Sequence, residues 1–449
     1  MHSRNHVFSL AIASLLNLSA THGLIAADSS QFRGPLGNGV YPSAVPSTWP
    51  HDENVSWSAE IPGGGWSSPV SAGEYVFLTT AVADGESGPK GFGDGVQSMG
   101  SFFASKAPDK PYRFEVYCLN LSDGSLAWKQ EIVSRKPPYK IHPSNSYATE
   151  SPVTDGDRLY VYYAAVGVVA CLDFKGEQLW TRELGAFKTG MDFGTGSSLA
   201  AFGGMVFVQC DNEEKSFVCA LDGKTGKDVW RQARESRTSW SSPVVWQNAQ
   251  RTELITCGTG TVTSYDPATG EVLWNLSGAG GAFSASPTFD QDRLYFGQSG
   301  RNSRGPLVAI KAGAEGEVTL DDLSGDDLSG KELGWVEDAS GPGMSSPVVV
   351  DGKLYVLGRG ILSCHDCETG ERIYRERLKN ASNVTASLWA VGDKIFSLNE
   401  SGETTVVQAG SEFKDIGTNS IEGLFWSTPS ATENALLVRS ADKLHCIRK

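Results

Sequence analysis

The chain has 449 residues, enough for two or three ordinary domains, with a formal net charge of −14 and 20% charged residues. That acidity excludes nucleic acid as a partner, since a basic footprint is absent. No stretch after the first residues approaches the roughly 20 apolar positions of a membrane helix, which excludes a membrane-spanning body.

Arg4 opens a short basic start, Val7 to Leu18 is an uncharged and mostly apolar run, and small residues follow at Ala26 and Ala27. This is the pattern of a secretory signal peptide over residues 1–27, so the mature protein is expected to be exported, to the periplasm or beyond the cell. Residues 28–53 then read as an extended N-terminal segment, and residues 54–449 as one repeating body.

The repeat announces itself at Trp66 to Val70, "WSSPV", which is written again at Trp240 to Val244. Looser copies are "ESPV", "GSSL", "ASPT", "SSPV", "ASLW" and "STPS", which place eight starts near residues 68, 151, 198, 242, 286, 346, 387 and 428. After each start comes a turn signal and a β-rich run such as "DGDRLYVYYA" or "DGKLYVLGR". A third run then ends in an Asp/Gly turn and a short strand with an aromatic, as in "KTGKDVW" and "ATGEVLW". Apolar runs broken by turns every 8–12 residues, without helical periodicity, indicate antiparallel strands. Four strands recurring at roughly 40–50 residues are the mark of a β-propeller blade. The fold expected is therefore all-β, an eight-bladed propeller of four-stranded antiparallel blades.

Blade grammar accounts for "SSPV". First strands converge on the axis, so small side chains let them approach, and Pro is tolerated because this strand is an edge. The last start supplies three strands, while "VSWSAEI" near the N-terminus is a Trp-bearing strand with no start of its own. Pairing the two closes the ring. Insertions are expected at about residues 84–113, rich in Gly, Ser and Pro, and 312–334, which is acidic and lengthens blade five. The paired Asp of "LDDLSGDDLSG" lack the order of a Ca²⁺ loop, and a solvated loop is the reading taken.

Cys118, Cys171 and Cys364 each stand two residues before the turn Asn or Asp, and Cys446 fits the same place. One strand position filled repeatedly by a small apolar residue suits free, buried thiols. Cys210 and Cys219 are the one pair that neighbouring runs could bring together. "CHDC" at Cys364 to Cys367 falls on a strand and turn, and the four histidines beyond the leader, His51, His142, His365 and His445, are scattered, so no metal site is expected.

The period, the turn-and-Trp phrase and the eightfold count resemble the PQQ-like (quinoprotein-type) β-propeller repeat, over nearly all of residues 54–449. Phrases such as "QFRGPLGNGV" and "SYDPATG" look like an exported bacterial subfamily of unassigned function. One branch of that superfamily implies a quinoprotein alcohol dehydrogenase. Its pyrroloquinoline quinone (PQQ) lies between a Trp floor and an adjacent-cysteine disulfide, beside a catalytic Asp and a bound Ca²⁺. This chain has no Cys-Cys dipeptide. The other branch implies BamB-like proteins, which bind protein segments; the chain is similar to them in blade count, without their lipid-attachment Cys.

Loops that converge at one end of a propeller form a funnel. The candidates there are Trp66, His142, Asn145, Tyr147, Glu150, Asp192, Arg237, Trp240 and Trp426, with Lys188 and Asn383 on adjoining loops. The expectation is a monomeric binding or scaffold module for a protein segment or small molecule, without a cofactor. The alternative is an enzyme in the funnel, above all a PQQ- and Ca²⁺-dependent dehydrogenase. No catalytic residue can be assigned.

Overall fold

The computed structural model describes residues 28–49, 54–85, 88–94, 106–298, 305–320, 334–379, 381 and 383–448. The leader, His51 and most of the acidic loop lie outside them. The strands form eight sheets set as blades around one axis, an eight-bladed β-propeller. Blade one shows the plan, with Val70–Ala72, Tyr75–Val82, Tyr112–Asn120 and Leu126–Arg135 paired antiparallel in sequence order. Middle strands are covered on both faces by neighbouring blades, so Leu159–Tyr163 and Val168–Leu172 are apolar and buried throughout. The outermost strand of that blade, Gln178–Glu183, alternates between exposed and half-buried positions.

The ring is closed as expected. Val55–Glu60 pairs antiparallel with Lys443–Arg448 and completes blade eight.

Along the axis, the eight starts do more than leave room. The backbone N–H of Ser68 donates to Ser151 Oγ at 2.9 Å, Ser151 to Ser198 Oγ at 2.9 Å, and Ser198 to Ser242 Oγ at 2.9 Å. Ser242 donates to Ser286 Oγ at 2.9 Å, Ser286 to Ser346 Oγ at 2.9 Å, Ser346 to Ser387 Oγ at 3.3 Å, and Ser387 to Thr428 Oγ1 at 2.9 Å. An edge strand has unpaired amides, and here each is taken up by the hydroxyl of the next blade. The seam between blade eight and blade one is built differently. Ser427 Oγ donates to the Ser67 carbonyl at 3.1 Å, and the buried Arg439 guanidinium donates to that carbonyl at 3.1 Å and also to Ser67 Oγ.

Outside the ring, the fourth-strand Trp reaches the next blade. Trp128 Nε1 donates to the Phe174 carbonyl at 2.8 Å, Trp180 to Gly223 at 2.9 Å, Trp230 to Pro267 at 2.9 Å, Trp335 to Cys367 at 3.1 Å and Trp57 to Leu121 at 3.1 Å. The turn glycine beneath the indole is required twice over. Gly176 has φ +87°, and a Cβ there would lie 2.8 Å from the Trp128 ring.

The repeated cysteines hold the register. Cys118, Cys171 and Cys364 lie opposite Phe77, Tyr160 and Tyr355 on one side and Trp128, Trp180 and Tyr374 on the other. A small sulfur between two rings leaves both flat against the sheet, and burial pushes the Cys118 and Cys171 thiols up to about 12. All eight cysteines are free. Cys210 and Cys219 are therefore not bridged; Cys210 sits opposite Phe217 and Cys219 opposite Val208, two residues off direct pairing.

Two readings need correction. The insertion in blade five is not all solvated loop, because Gly316–Thr319 adds in parallel to Val272–Ser277 as a fifth strand of blade four. With the usual turn of blade five lost to this insertion, Trp274 Nε1 donates instead to buried Glu253 Oε2 in its own blade at 2.7 Å. Residues 28–49 are not extended either. They bend at Arg33 (φ 65°) and Gly34 (φ 85°) and cross the end of the axis opposite the funnel. Ser30 accepts from Thr154 N at 2.8 Å, Arg33 Nη1 donates to Pro287 O at 2.8 Å, and Tyr41 OH donates to Pro429 O at 3.2 Å. Val40–Tyr41 pairs in parallel with Trp389–Val391. First strands present carbonyls inward, and a bent, donor-rich segment satisfies them where a straight one could not.

Ser242→Ala removes the acceptor for the buried Ser198 amide, and should lower unfolding free energy by about 1–3 kcal/mol in denaturant melts. Deleting residues 28–61 removes both the plug and the closing strand. That truncation should aggregate or melt far below the full chain, and an unchanged melting curve would contradict the closure described.

Candidate functional site

The loops entering the first strands gather at the funnel end, and their side chains form two groups. In the first, Trp66 and Trp426 stack on one another with centroids 5.8 Å apart and planes 19° apart. Trp66 Nε1 donates to Ser144 O at 2.8 Å, and Trp426 Nε1 donates to Glu400 Oε1 at 2.8 Å. Phe92 lies on Trp426 at 4.6 Å. It comes from the insertion in blade one, whose amides at Phe92 and Gly93 donate to the Glu400 carboxylate, the latter at 3.1 Å. A carboxylate accepting two backbone amides and an indole ties this strap to blade seven, over the mouth. An open pocket beside it is lined by Glu400, Ser401, Glu422 and Leu424.

The second group surrounds a knuckle in the loop before blade three. Met191 and Asp192 both adopt left-handed φ, 51° and 54°, and Met191 is 66% exposed. The knuckle is braced from several directions. Asn145 Nδ2 donates to Phe193 O at 2.8 Å and Thr195 O at 3.0 Å, and Trp240 Nε1 donates to Gly194 O at 2.8 Å. Phe193 meets the His142 ring at 5.2 Å and the Trp240 ring edge-on at 6.0 Å. His142 Nδ1 lies 2.7 Å from Ser144 Oγ, and Asp192 lies 3.6 Å from Lys140 Nζ.

Thus the structure brings Trp66 and Trp426 together, and His142, Asn145, Asp192 and Trp240 together. Three expected residues do not join them. Tyr147 is buried between blades one and two, with its hydroxyl on Tyr139 O at 3.2 Å. Arg237 turns outward, 78% exposed at its side chain and paired with Glu213. Glu150 takes the place that Ser67 and Ser241 hold in their blades, and is wholly buried. Neither of its oxygens has a well-formed hydrogen bond among the described residues. Lys188 and Asn383 serve backbone contacts, through Lys188 N to Glu214 and Asn383 O from Glu400 N.

Glu400, Phe92 and Phe193 were not foreseen. Glu400 and Phe92 are 308 residues apart and occupy no repeated position, so no local signal links them. Phe193 had a signal, an aromatic inside the Gly-rich "KTGMDFGTG". No three His, Cys, Asp or Glu side chains among the described residues gather as a metal site would require.

With this geometry in view, the chain can be set beside known proteins. The family model described as outer membrane protein assembly factor BamB matches residues 112–326 and 258–413. The chain belongs to this PQQ-like propeller family. A search of curated proteins finds no match. Among solved structures, BamB from Moraxella catarrhalis is similar with TM-score 0.54 and 14% identity, over 77% of this chain and 96% of that one. Quinohemoprotein alcohol dehydrogenase from Comamonas testosteroni gives 0.59 and 10% identity, over 94% of this chain and 80% of that one. Sqt1 from Saccharomyces cerevisiae gives 0.56 and 10%, over 88% and 99%. At such identities the likeness is one of fold.

Burial pushes the Glu150 carboxyl from its ordinary 4.5 up to about 7, outweighing the opposite pull of the Thr195 hydroxyl and nearby backbone amides. Its contribution to stability is complete below pH 4.5 and is lost as pH rises through about 7. Glu150→Gln should flatten the pH dependence of unfolding between those limits, by up to about 3 kcal/mol at alkaline pH. Parallel denaturant melts of both proteins across that range measure it.

Proposed function

We propose that this chain is an exported binding or scaffold module, and that its partner, an extended protein segment or a small molecule, docks at the funnel end. The observation that carries this reading is the division of labour at the mouth. Met191 and Phe193 are presented outward, at 66% and 37% exposure, while Trp66 is buried against Trp426 and Glu150 is wholly buried. The braced knuckle holds Met191 and Phe193 at the rim, where a folded protein does not leave large apolar side chains without cost. Export rests on the Val7 to Leu18 run alone. No helix among the described residues is long and apolar enough to cross a membrane.

The rival reading is a quinoprotein dehydrogenase, and these residues do not suit PQQ. The resemblance implies a quinone lying flat on a Trp floor, whereas Trp66 and Trp426 stack on each other, 5.8 Å apart between centroids. Of the funnel carboxylates, Asp192 faces Lys140 at 3.6 Å and Glu150 is wholly buried. What supports the binding module is this mismatch together with the absence of a Cys-Cys lid in the sequence.

Titration with PQQ and Ca²⁺ tests the choice. The expected result is no saturable uptake and no dye-linked oxidation of alcohols or sugars; stoichiometric uptake with turnover would overturn the proposal. On an array of extended peptides, the wild-type chain should retain a subset that Trp426→Ala and Met191→Ala lose.

A further inference from the structure

The open pocket beside the strap has a volume of ≈ 270 Å³ and lies between the strap, a turn of blade seven and the loop leading into blade eight. That is below the roughly 300–1,000 Å³ of most small-molecule sites, and it suits one long side chain. Gly91, Gly93 and Gly423 bring bare backbone to the pocket, and Leu424 is its one apolar side chain. Glycine at 91 is demanded by the packing, because a Cβ there would lie 2.6 Å from both Glu400 Oε1 and Leu424 Cδ1. The remaining lining is a hydroxyl, Ser401, and two carboxylates, Glu400 and Glu422.

Glu400 is only 5% exposed. Its Oε1 accepts from Trp426 Nε1 at 2.8 Å and from the Phe92 amide, and its Oε2 accepts from the Gly93 amide at 3.1 Å. These donors are neutral, so they satisfy oxygens without balancing a charge. A carboxylate offers about four acceptor sites, which leaves one on Oε2 for a further donor. Glu422 stands exposed at the rim. Among the described residues no ion pair includes either carboxylate, and Lys90, exposed next to the strap, pairs with neither.

We propose that this pocket receives the cationic side chain, Lys or Arg, of an extended protein segment, with its charge between Glu400 and Glu422 and its hydrocarbon stem on Leu424 and the glycine backbone. This rests on the docking site proposed above and names the chemistry of the partner. Charge decides the occupant. A docked segment displaces the water that screens the two carboxylates, and an apolar or acidic side chain would leave both uncompensated. A cation compensates both, and the stems of Lys and Arg cover apolar surface while their heads remain polar. A divalent metal ion suits the pocket less, since Ca²⁺ takes about 6–8 oxygen ligands and N–H groups already occupy Glu400. Trp426 is bonded to the same carboxylate, so a segment lying across its ring passes beside the pocket.

The peptide array, probed with the full chain, tests this. Retained peptides should share a Lys or Arg. Replacing that residue by acetyl-lysine or citrulline, which keep the stem and lose the charge, should weaken binding by about tenfold or more. Glu422→Lys should abolish binding of these peptides and Glu422→Gln should weaken it several-fold, both with an unchanged melting temperature. Glu368→Lys, in the outer turn of blade six, should bind as the wild type does. If peptides that Trp426→Ala loses tolerate acetyl-lysine or citrulline equally, the docking site stands and the cation pocket falls. Wild-type binding by Glu422→Lys overturns the pocket in the same way. An array that retains nothing overturns the extended segment itself, and the occupant of the pocket with it.

Discussion

A backbone amide handed to the hydroxyl of the next blade is the contact on which the rest of this propeller depends. First strands are edges, and eight of them converge where no partner strand can fit. Unpaired amides there would each cost about 1–3 kcal/mol. The run from Ser68 to Thr428 settles seven junctions with one device. Proline after the hydroxyl residue then has a clear role, because it removes the next donor that the axis could not satisfy. The eighth junction cannot use the same device, since there the two ends of the repeat meet. A buried guanidinium, Arg439, spans that gap and reaches both the carbonyl and the hydroxyl of Ser67.

This constraint explains what could be read from the sequence. A Ser or Thr at each start is a local demand repeated eight times, and the turn glycine with a Trp above it recurs five times. Cys118, Cys171 and Cys364 obey the same logic, since each must fit between two aromatic rings. Periodicity makes such demands visible, and the fold and the closing strand were legible for that reason.

What occurs once left no period. The strap tied to Glu400 joins blade one to blade seven, and the plug carries Arg33 to blades five and six. Both are set by long-range complementarity between a loop and carbonyls or carboxylates far away in sequence. The same holds for the funnel. Trp66 and Trp240 carry the same five-residue phrase, yet one stacks on Trp426 while the other braces Gly194. Asn145 looked like a ligand contact from its loop, but its amide is spent on Phe193 and Thr195. A site residue is legible only when its partners are.

The two ends of the axis are thereby made unlike. One is closed by the chain's own N-terminal segment, through carbonyl contacts that leave little surface to vary. The other is roofed by side chains from unrelated loops, held by hydrogen bonds to backbone atoms of neighbouring loops. Changing a side chain at the first end disturbs the ring that every blade shares. At the second it alters only what is presented, because Met191 and Phe193 contribute nothing to the hydroxyl ring. The bonds that close the propeller therefore lie away from the funnel, and side chains at the rim can change without touching them.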